Sequence, residues 1–189
     1  MRISIATPKA IRYACMNFHY AKAVPAVQYG FNVFNDADEW CGVILYGGGA
    51  NRNIAKEFGL CSGEILELVR CALNGKQGHG NTSKAVAATM KMLHQINPLV
   101  KILISYADLD QDHAGIIYQA TNWIYLGKTN TDEVSAYIID GKKTHRKSVY
   151  SKYGRQDFDW ILQNVDPNAE KFYTKGKMPT TIQKLWKEV

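Results

Sequence analysis

Residues 65–106, ILELVRCALNGKQGHGNTSKAVAATMKMLHQINPLVKILISY, decide the fold class. Ile65–Leu73 and Lys101–Tyr106 are short apolar runs typical of buried strands. Thr82 or Ser83 can cap a helix between them. The apolar stripe of this helix consists of Val86, Met90, Leu93 and Ile96, and Asn97 and Pro98 end the helix. A strand, a helix and a strand of these lengths predict a right-handed crossover between two parallel strands.

The flanking segments extend this pattern in both directions. Trp40–Tyr46 is a further apolar run, closed by Gly47, Gly48 and Gly49, which predicts a buried strand followed by a tight turn. A short helix over about Ala114–Thr121 and a strand over Trp123–Leu126 are expected downstream. The chain therefore predicts an α/β fold: a mixed sheet flanked by helices, with a largely parallel central section and antiparallel strands added near the N-terminus.

The pattern changes after Gly127. Ala136–Ile139, a turn at Asp140 and Gly141, and a basic run with Tyr150 and Tyr153 predict a strand, a turn and a return strand. A helix is expected from Asp157, with Phe158, Ile161, Leu162 and Val165 as its apolar residues. We expect a single domain over residues 1–189, with a core over about 1–130 and a basic arm and C-terminal helix over about 131–189.

Charge is concentrated in one stretch. The 189 residues are 46% apolar, enough for one sizeable core, and carry a formal charge of +6. Residues 142–156 contain no acidic side chain and six basic ones: Lys142, Lys143, Arg146, Lys147, Lys152 and Arg155. Six cations interleaved with tyrosines predict a polyanionic partner.

The sequence contains neither an apolar run long enough to cross a membrane nor a secretory signal pattern. We therefore expect no membrane partner and a cytoplasmic location. Cys15, Cys41, Cys61 and Cys71 lack a paired metal-binding spacing and stand mostly in apolar segments. They are interpreted as reduced core residues rather than as disulfide or zinc ligands.

A glycine-rich segment, Gly75–Thr82 (GKQGHGNT), joins the two central elements. It nearly matches a P-loop, but Asn81 stands where the phosphate-binding lysine is required, which argues against an NTPase. A cofactor held mainly by backbone amides at a helix start, such as an acyl-coenzyme A, does not need that lysine. A flexible loop before a capped helix is the alternative.

Asp108 opens the segment Asp108–Asp112 (DLDQD) after the last central strand. Its spacing resembles a calcium loop, but His113 replaces the required glycine and Gln119 the closing glutamate, so calcium is not expected. The carboxylate then stands at the C-terminal end of a buried strand, where parallel sheets place their sites. A turn or helix-capping aspartate is the alternative.

Two further segments carry reactive side chains. In Gly115–Trp123 (GIIYQATNW), helical spacing places Tyr118 and Asn122 on one side, so the tyrosine need not be buried. A core tyrosine is the alternative. His19 and Tyr20 begin a polar insertion after the first apolar stretch.

Taken together, four segments resemble the Mom family of phage DNA-modification proteins, and the resemblance covers roughly residues 13–130. The segments are Ile104–Asp108 (ISYAD), Gly115–Ala120 (GIIYQA), Asn122-Trp123 and His19-Tyr20. The resemblance implies a fold related to the GCN5-type N-acetyltransferases and an acetyl-coenzyme A-like donor. It also implies conversion of adenine in DNA to an N6-carbamoylmethyl form, which hides phage DNA from host restriction enzymes.

The resemblance also assigns residues. Tyr20, Asp108 and Tyr118, with His19 beside them, would be catalytic. The polyanion expected at the six basic residues of 142–156 would then be double-stranded DNA. The expected donor site lies at the start of the central helix and comprises Gly78, Gly80, Asn81, Thr82, Ser83 and Lys84. After about residue 155 no family pattern is evident in the sequence.

The chemistry fits these residue types. Adenine N6 is a poor nucleophile because its lone pair is delocalised into the ring; Asp108 could accept its proton, and Tyr118 or Tyr20 could donate or relay one. The base must also leave the DNA stack. His19, Tyr20, Asp108 and Tyr118 could instead bind a redox metal, although their types do not specify iron.

Two other functions fit the same features. One is an ordinary N-acetyltransferase of a small amine or a protein lysine, and the other is a nucleic-acid-binding module without activity. The basic run argues against the first. The set of Tyr20, Asp108 and Tyr118 argues against the second.

Overall fold

The computed structural model describes residues 1–49, 53–108, 114–127, 134–173 and 178–184. The chain divides into two compact units. The first comprises Met1–Tyr106, Gly115–Gly127 and the chain from Pro179 onward. The second comprises Ala107–Ala114 and Lys128–Met178.

The first unit is built on a seven-stranded sheet with the order β1-β2-β3-β4-β5-β10-β6. Its strands are β1 (Arg2–Ile5), β2 (Tyr29–Phe34), β3 (Trp40–Gly47), β4 (Ile65–Leu73), β5 (Ile102–Ala107), β6 (Ile124–Tyr125) and β10 (Met178–Lys184). Its helices are α1 (Pro8–Phe18), α2 (Ile54–Glu57), α3 (Asn81–Ile96) and α4 (Ile116–Gln119). The predicted mixed sheet flanked by helices is confirmed.

The pairing of the strands corrects one prediction. The pairs β1–β2, β2–β3, β3–β4 and β10–β6 are antiparallel, and β4–β5 is parallel. The antiparallel N-terminal strands are confirmed, whereas a largely parallel central section is wrong. The reason lies in the connections: β2 and β3 are joined by a short turn, whereas β4 and β5 are joined by α3, which allows a parallel crossover.

Helix α1 follows directly from its sequence. The Thr7 side chain caps it by accepting a hydrogen bond from the Ala10 amide at 3.3 Å, and Pro8 occupies the first turn, where its missing N–H costs nothing. Ala14 and Cys15 are fully buried against one face of the sheet. Their partners there are Val43, Leu45 and Ala72.

Helix α3 begins two or three residues earlier than predicted. Its N-cap is Gly80, in a left-handed conformation (φ +72°), instead of Thr82 or Ser83. Val86, Met90 and Leu93 are buried as expected, whereas Ile96 in the last turn is 45% exposed. The helix ends at the predicted place, with Asn97 as its C-cap.

The second unit has its own sheet, with the order β8-β7-β9 and antiparallel pairing throughout. Its elements are β7 (Val134–Ile139), β8 (Lys142–His145), α5 (Arg146–Tyr153), α6 (Phe158–Asn164) and β9 (Glu170–Tyr173). A separate core contains Tyr137, Ile139, Val149, Ile161 and Ala169. The second unit's main segment starts at Lys128, close to the expected boundary of the core; that both units form one domain stays a prediction.

Two expectations for this region are confirmed and one is wrong. The turn at Asp140 and Gly141 and the helix after Asp157 are present, and the Asp157 carboxylate caps α6 by accepting from the Trp160 amide at 2.9 Å. The basic run, however, is a strand only as far as His145 and then continues as α5. The cause is local: the His145 ring caps the helix by accepting from the Lys147 amide at 3.1 Å.

In the part of the chain that the structure describes, no helix is long and apolar enough to span a membrane. All four cysteines are free thiols. Cys15 and Cys41 are buried and Cys71 is half-buried, but Cys61 is exposed, which corrects its assignment to the core. Cys61 lies in a turn, where its amide donates to the Glu64 carboxylate at 2.6 Å.

Candidate active site

The centre of the first unit contains a fork between β4 and β5. The two strands pair in register over three positions, which end at Glu67 and Ile104. Beyond these residues no pairing between β4 and β5 is seen within the described ranges, although β4 runs on to Leu73 and β5 to Ala107. The strands therefore separate, and backbone groups along the opening can bind a ligand in place of the neighbouring strand.

A buried hydroxyl pair lies at this fork. The Ser105 hydroxyl donates to the Tyr118 hydroxyl oxygen at 2.7 Å, and the Ser105 oxygen lies 3.3 Å from the carbonyl oxygen of Leu68. Ser105 is fully buried and Tyr118 is 7% exposed. Of the two interpretations of Tyr118 left open by the sequence, the structure shows the core tyrosine, with its hydroxyl hydrogen-bonded.

The reason is the shortness of α4, which makes helical spacing a poor guide. The helix ends at Gln119, and Asn122 adopts a left-handed conformation (φ +59°) that turns the chain back. The Trp123 amide then donates to the Tyr118 carbonyl at 3.0 Å, and the two rings pack with centroids 5.1 Å apart. The indole thus covers the tyrosine.

Burial raises the pKa of Tyr118 to about 12, the Ser105 hydrogen bond acts in the opposite direction, and negative charge on Cys71 or Glu67 raises the pKa further. Tyr118 is therefore a protonated phenol at neutral pH. A group of this kind can donate a proton but cannot serve as a base without help.

Three residues of this cluster, Ser105, Trp123 and Glu67, were given no role by the sequence reasoning. The Trp123 indole nitrogen is buried and has no hydrogen-bond partner among the described residues, so it can donate to a ligand. Glu67 stands at the fork, and a Cβ at Gly49 would lie 2.1 Å from its carboxylate oxygen, so the glycine leaves room for it. A carboxylate inside the apolar run ILELVRCAL was the available signal.

His19 and Tyr20 lie together where α1 ends. The His19 Nδ1 atom accepts from the Ala21 amide at 3.1 Å, and the His19 and Tyr20 rings lie 4.2 Å apart at an angle of 31°. Tyr20 is 46% exposed. The pair therefore forms an aromatic surface that is accessible to solvent.

The glycine-rich loop before α3 has the geometry of an anion-binding helix start. Gly75, Gly78 and Gly80 all adopt positive φ angles, the N-cap makes no side-chain hydrogen bond, and the first turn has no acidic residue. Helix starts of this kind attract anions through free amides and the helix dipole.

The loop's own side chains are engaged with one another. Gln77 donates to the Thr82 hydroxyl at 2.9 Å, Asn81 to the Gln77 carbonyl at 2.6 Å, and Ser83 to the Gly80 carbonyl at 3.0 Å. The Gln77 side-chain oxygen is buried and has no partner in the described part of the chain. The loop is held in shape by these side chains and by long backbone hydrogen bonds, in which the Gly78 amide donates to the Gly75 carbonyl and the Asn81 amide to the Gly78 carbonyl, both at 3.3 Å.

Asp108 directly follows β5 and belongs to the second unit, whereas Tyr20 and Tyr118 belong to the first. Residues 109–113 lie outside the described residues, and with them the rest of the DLDQD segment. Convergence of Asp108, Tyr20 and Tyr118 on one substrate stays a prediction. No group of three or more His, Cys, Asp or Glu side chains is placed to hold a metal within the described ranges.

All six basic residues expected to contact DNA lie in the second unit. Three of them lie over aromatic rings: Lys143 over Phe172 at 3.6 Å, Lys152 over Tyr153 at 4.8 Å and Arg155 over Trp160 at 5.8 Å. Lys142 and Lys147 are exposed. Cations over rings remain accessible to phosphate, so the arrangement suits a nucleic-acid surface.

The profile of the Mom protein family matches residues 1–178. The chain belongs to the Mom protein family. The match extends well beyond the Mom-like residues recognised in the sequence and includes all of the second unit. The absence of a family pattern after about residue 155 is therefore corrected.

One curated relative is the "Methylcarbamoylase mom" of Escherichia phage Mu, which is 28% identical over 130 residues. The aligned region covers 67% of this chain and 52% of the relative, so the chain spans about half the length of that Mom protein.

Solved structures show the fold of this Mom family member. An aminoglycoside 6'-acetyltransferase type Ii matches with a TM-score of 0.53 over 100% of both chains at 10% identity. The spermidine/spermine N-acetyltransferase SpeG of Vibrio cholerae matches with a TM-score of 0.54 over 97% of this chain and 92% of its own, at 8% identity. The expected fold of the GCN5-related N-acetyltransferase type is confirmed.

Proposed function

We propose that this chain is a transferase that converts adenine in DNA to an N6-carbamoylmethyl form, with an acetyl-coenzyme A-like donor. The observation that carries the proposal is Tyr118, a buried phenol hydrogen-bonded to Ser105 at the fork of an acetyltransferase-like sheet in a chain of the Mom family. Mass spectrometry of nucleosides from DNA exposed to the protein tests it directly.

The residues present fit a coenzyme A-type donor. Its pyrophosphate suits the start of α3, where Gly78, Gly80, Asn81, Thr82, Ser83 and Lys84 would hold it through backbone amides and the Lys84 charge. Its extended arm suits the open edge between β4 and β5. When bound, such a donor would supply the two-carbon unit as a thioester; formation of the carbamoylmethyl group further requires a nitrogen nucleophile, which displaces the coenzyme A thiol, and a two-electron oxidant, which allows the former methyl carbon to bond to N6.

The chain's own side chains provide the proton transfers that the reaction demands. Asp108 is the proposed base for the adenine N6 proton, and Glu67 is a second carboxylate at the fork itself. Tyr118 is the proposed proton donor. The unpartnered Trp123 N–H can donate to an oxygen on which negative charge develops.

The acceptor base must be unpaired before its N6 can react. The stacked and accessible pair of His19 and Tyr20 offers a ring surface for an extruded base. We propose that Tyr20 and His19 act in base positioning and that the second unit binds the DNA backbone. An iron role for these residues stays a prediction, tested by metal analysis of protein purified without a nickel column.

Replacing Gly80 by valine should weaken binding of acetyl-coenzyme A about tenfold, because a β-branched residue disfavours this left-handed N-cap by on the order of 1–3 kcal/mol and so lowers the population of the binding-competent loop conformation. Titration calorimetry measures the affinity. Gly154→Val is the matched control: Gly154 has a similar φ (+70°) and equally open surroundings, but caps α5 in the second unit. Equal affinity in wild type and Gly80→Val would contradict the donor assignment.

Neutralising Lys142, Lys143, Arg146 and Lys147 together, each to glutamine, should flatten the salt dependence of DNA binding. The logarithm of the binding constant falls linearly with the logarithm of the salt concentration, and each phosphate contact contributes about 0.9 to the steepness of that slope. Four contacts therefore contribute about 3.6. Binding should weaken on all sequences alike, and acetyl-coenzyme A affinity should not change.

A second quadruple variant controls for net charge: Lys9, Arg12, Lys56 and Lys91 are exposed residues of the first unit with the same total charge. The salt dependence of DNA binding should change much less in this control than in the variant of the basic run. If both variants retain the wild-type slope in titrations at several salt concentrations, DNA does not bind along the basic run.

A further inference from the structure

The second unit contains an open cavity of about 420 Å³ whose lining carries two cations, Arg146 and Lys171. Tyr137, Phe158 and Asp157 also line the cavity. Lys171 lies on β9, outside the basic run at 142–156.

Arg146 is incompletely paired. It is the first residue of α5, and one guanidinium nitrogen donates to the Val134 carbonyl at a long 3.4 Å. Its Nε atom is buried and has no partner among the residues described. A buried donor without an acceptor costs free energy, and a planar guanidinium is best satisfied by two oxygens of one anion.

Lys171 is held in place by an aromatic wall. It lies opposite Tyr137 in the β7–β9 ladder, so both side chains share one face of the sheet. Its ammonium lies 4.9 Å from the centre of the Phe158 ring, which stacks on Tyr137 at 5.4 Å. The Tyr137 hydroxyl donates to the Gln156 carbonyl at 2.6 Å and fixes this wall.

The charge of the cavity selects the ligand. Arg146 and Lys171 contribute two positive charges, and Asp157 contributes one negative charge that is already engaged as the cap of α6. The net charge of +1 suits a monoanion with several acceptor oxygens. A phosphodiester has this charge and geometry.

We propose that this cavity binds one backbone phosphodiester of DNA, with Arg146 donating two hydrogen bonds and Lys171 pairing as a point charge. The inference rests on the proposed function, because it assumes DNA as the substrate. It adds Lys171 to the DNA-binding residues and distinguishes Arg146 from its exposed neighbours. The site positions the duplex and carries no sequence information.

Fluorescence anisotropy of a labelled DNA duplex at several salt concentrations, with the full chain, tests the inference. Lys171→Gln should make the dependence of log affinity on log salt concentration shallower by about 0.9. Arg146→Lys keeps the charge and the slope, but should weaken binding about tenfold because lysine cannot donate in a planar fork. Arg12→Lys, the same exchange at an exposed residue of the first unit, should change affinity less than about twofold.

Wild-type affinity in Arg146→Lys together with the wild-type slope in Lys171→Gln would overturn the inference. The proposed function would still stand if the wild type modified DNA. A wild type that does not bind the duplex at all would overturn the inference too, and nucleoside analysis would then decide the proposed function separately. Lys171 is exposed, so its variant stays informative even if Arg146→Lys fails to fold.

Discussion

Tyr118→Phe should lower DNA modification by a factor of about 10² to 10⁴, the usual contribution of a positioned proton donor. The phenol is protonated at neutral pH, as a tyrosine ordinarily is, and burial raises its pKa to about 12; phenylalanine preserves the ring that packs against Trp123. Single-turnover measurement of modified adenine per folded protein tests the expectation.

Stability measurements separate catalysis from folding. The variant should lose about 1 kcal/mol, the net worth of one hydrogen bond. Between pH 10 and 12 the unfolded wild type releases this proton while the folded protein retains it, so stability falls as pH rises. Tyr118→Phe should lose less stability across that window in urea titrations.

Tyr46→Phe is the matched control for Tyr118. Its buried hydroxyl is hydrogen-bonded to the Thr89 hydroxyl at 2.8 Å, so its loss should cost similar stability. Its modification activity should stay within a few-fold of wild type. If Tyr118→Phe is as active as Tyr46→Phe, Tyr118 is only a structural residue.

Asp108→Asn should reduce modification by a comparable factor of about 10² to 10⁴, because an amide cannot accept the N6 proton. Asp159→Asn, an exposed residue of α6 in the same unit, controls for loss of one negative charge. Glu67→Gln is measured beside them. Full activity in Asp108→Asn with loss in Glu67→Gln would move the base to the fork of the first unit.

The elements that were predicted well are those with long, regular patterns. Ile65–Leu73 is a strand with the predicted bounds, and the stripe of α3 is buried except at Ile96. The direction of the strands was not predictable in the same way, because an apolar run indicates burial but does not identify its neighbour. Local hydrogen bonds, such as the His145 cap of α5, also override the pattern.

The site was only partly predictable for a similar reason. Tyr118 was found through its motif, but its burial depends on a single helical turn and on the left-handed Asn122. Ser105 and Trp123 have the composition of ordinary core residues, and only their hydrogen-bonding state distinguishes them. Lys171 was missed because it is distant in sequence from the basic run and joins Arg146 only through the fold.

The most direct test is mass spectrometry of nucleosides from plasmid DNA isolated from cells that co-express this chain. The account predicts N6-carbamoylmethyl deoxyadenosine with the wild type and almost none with Tyr118→Phe or Asp108→Asn at equal amounts of folded protein. Unmodified deoxyadenosine alone, in cells that contain folded wild-type protein, would contradict it.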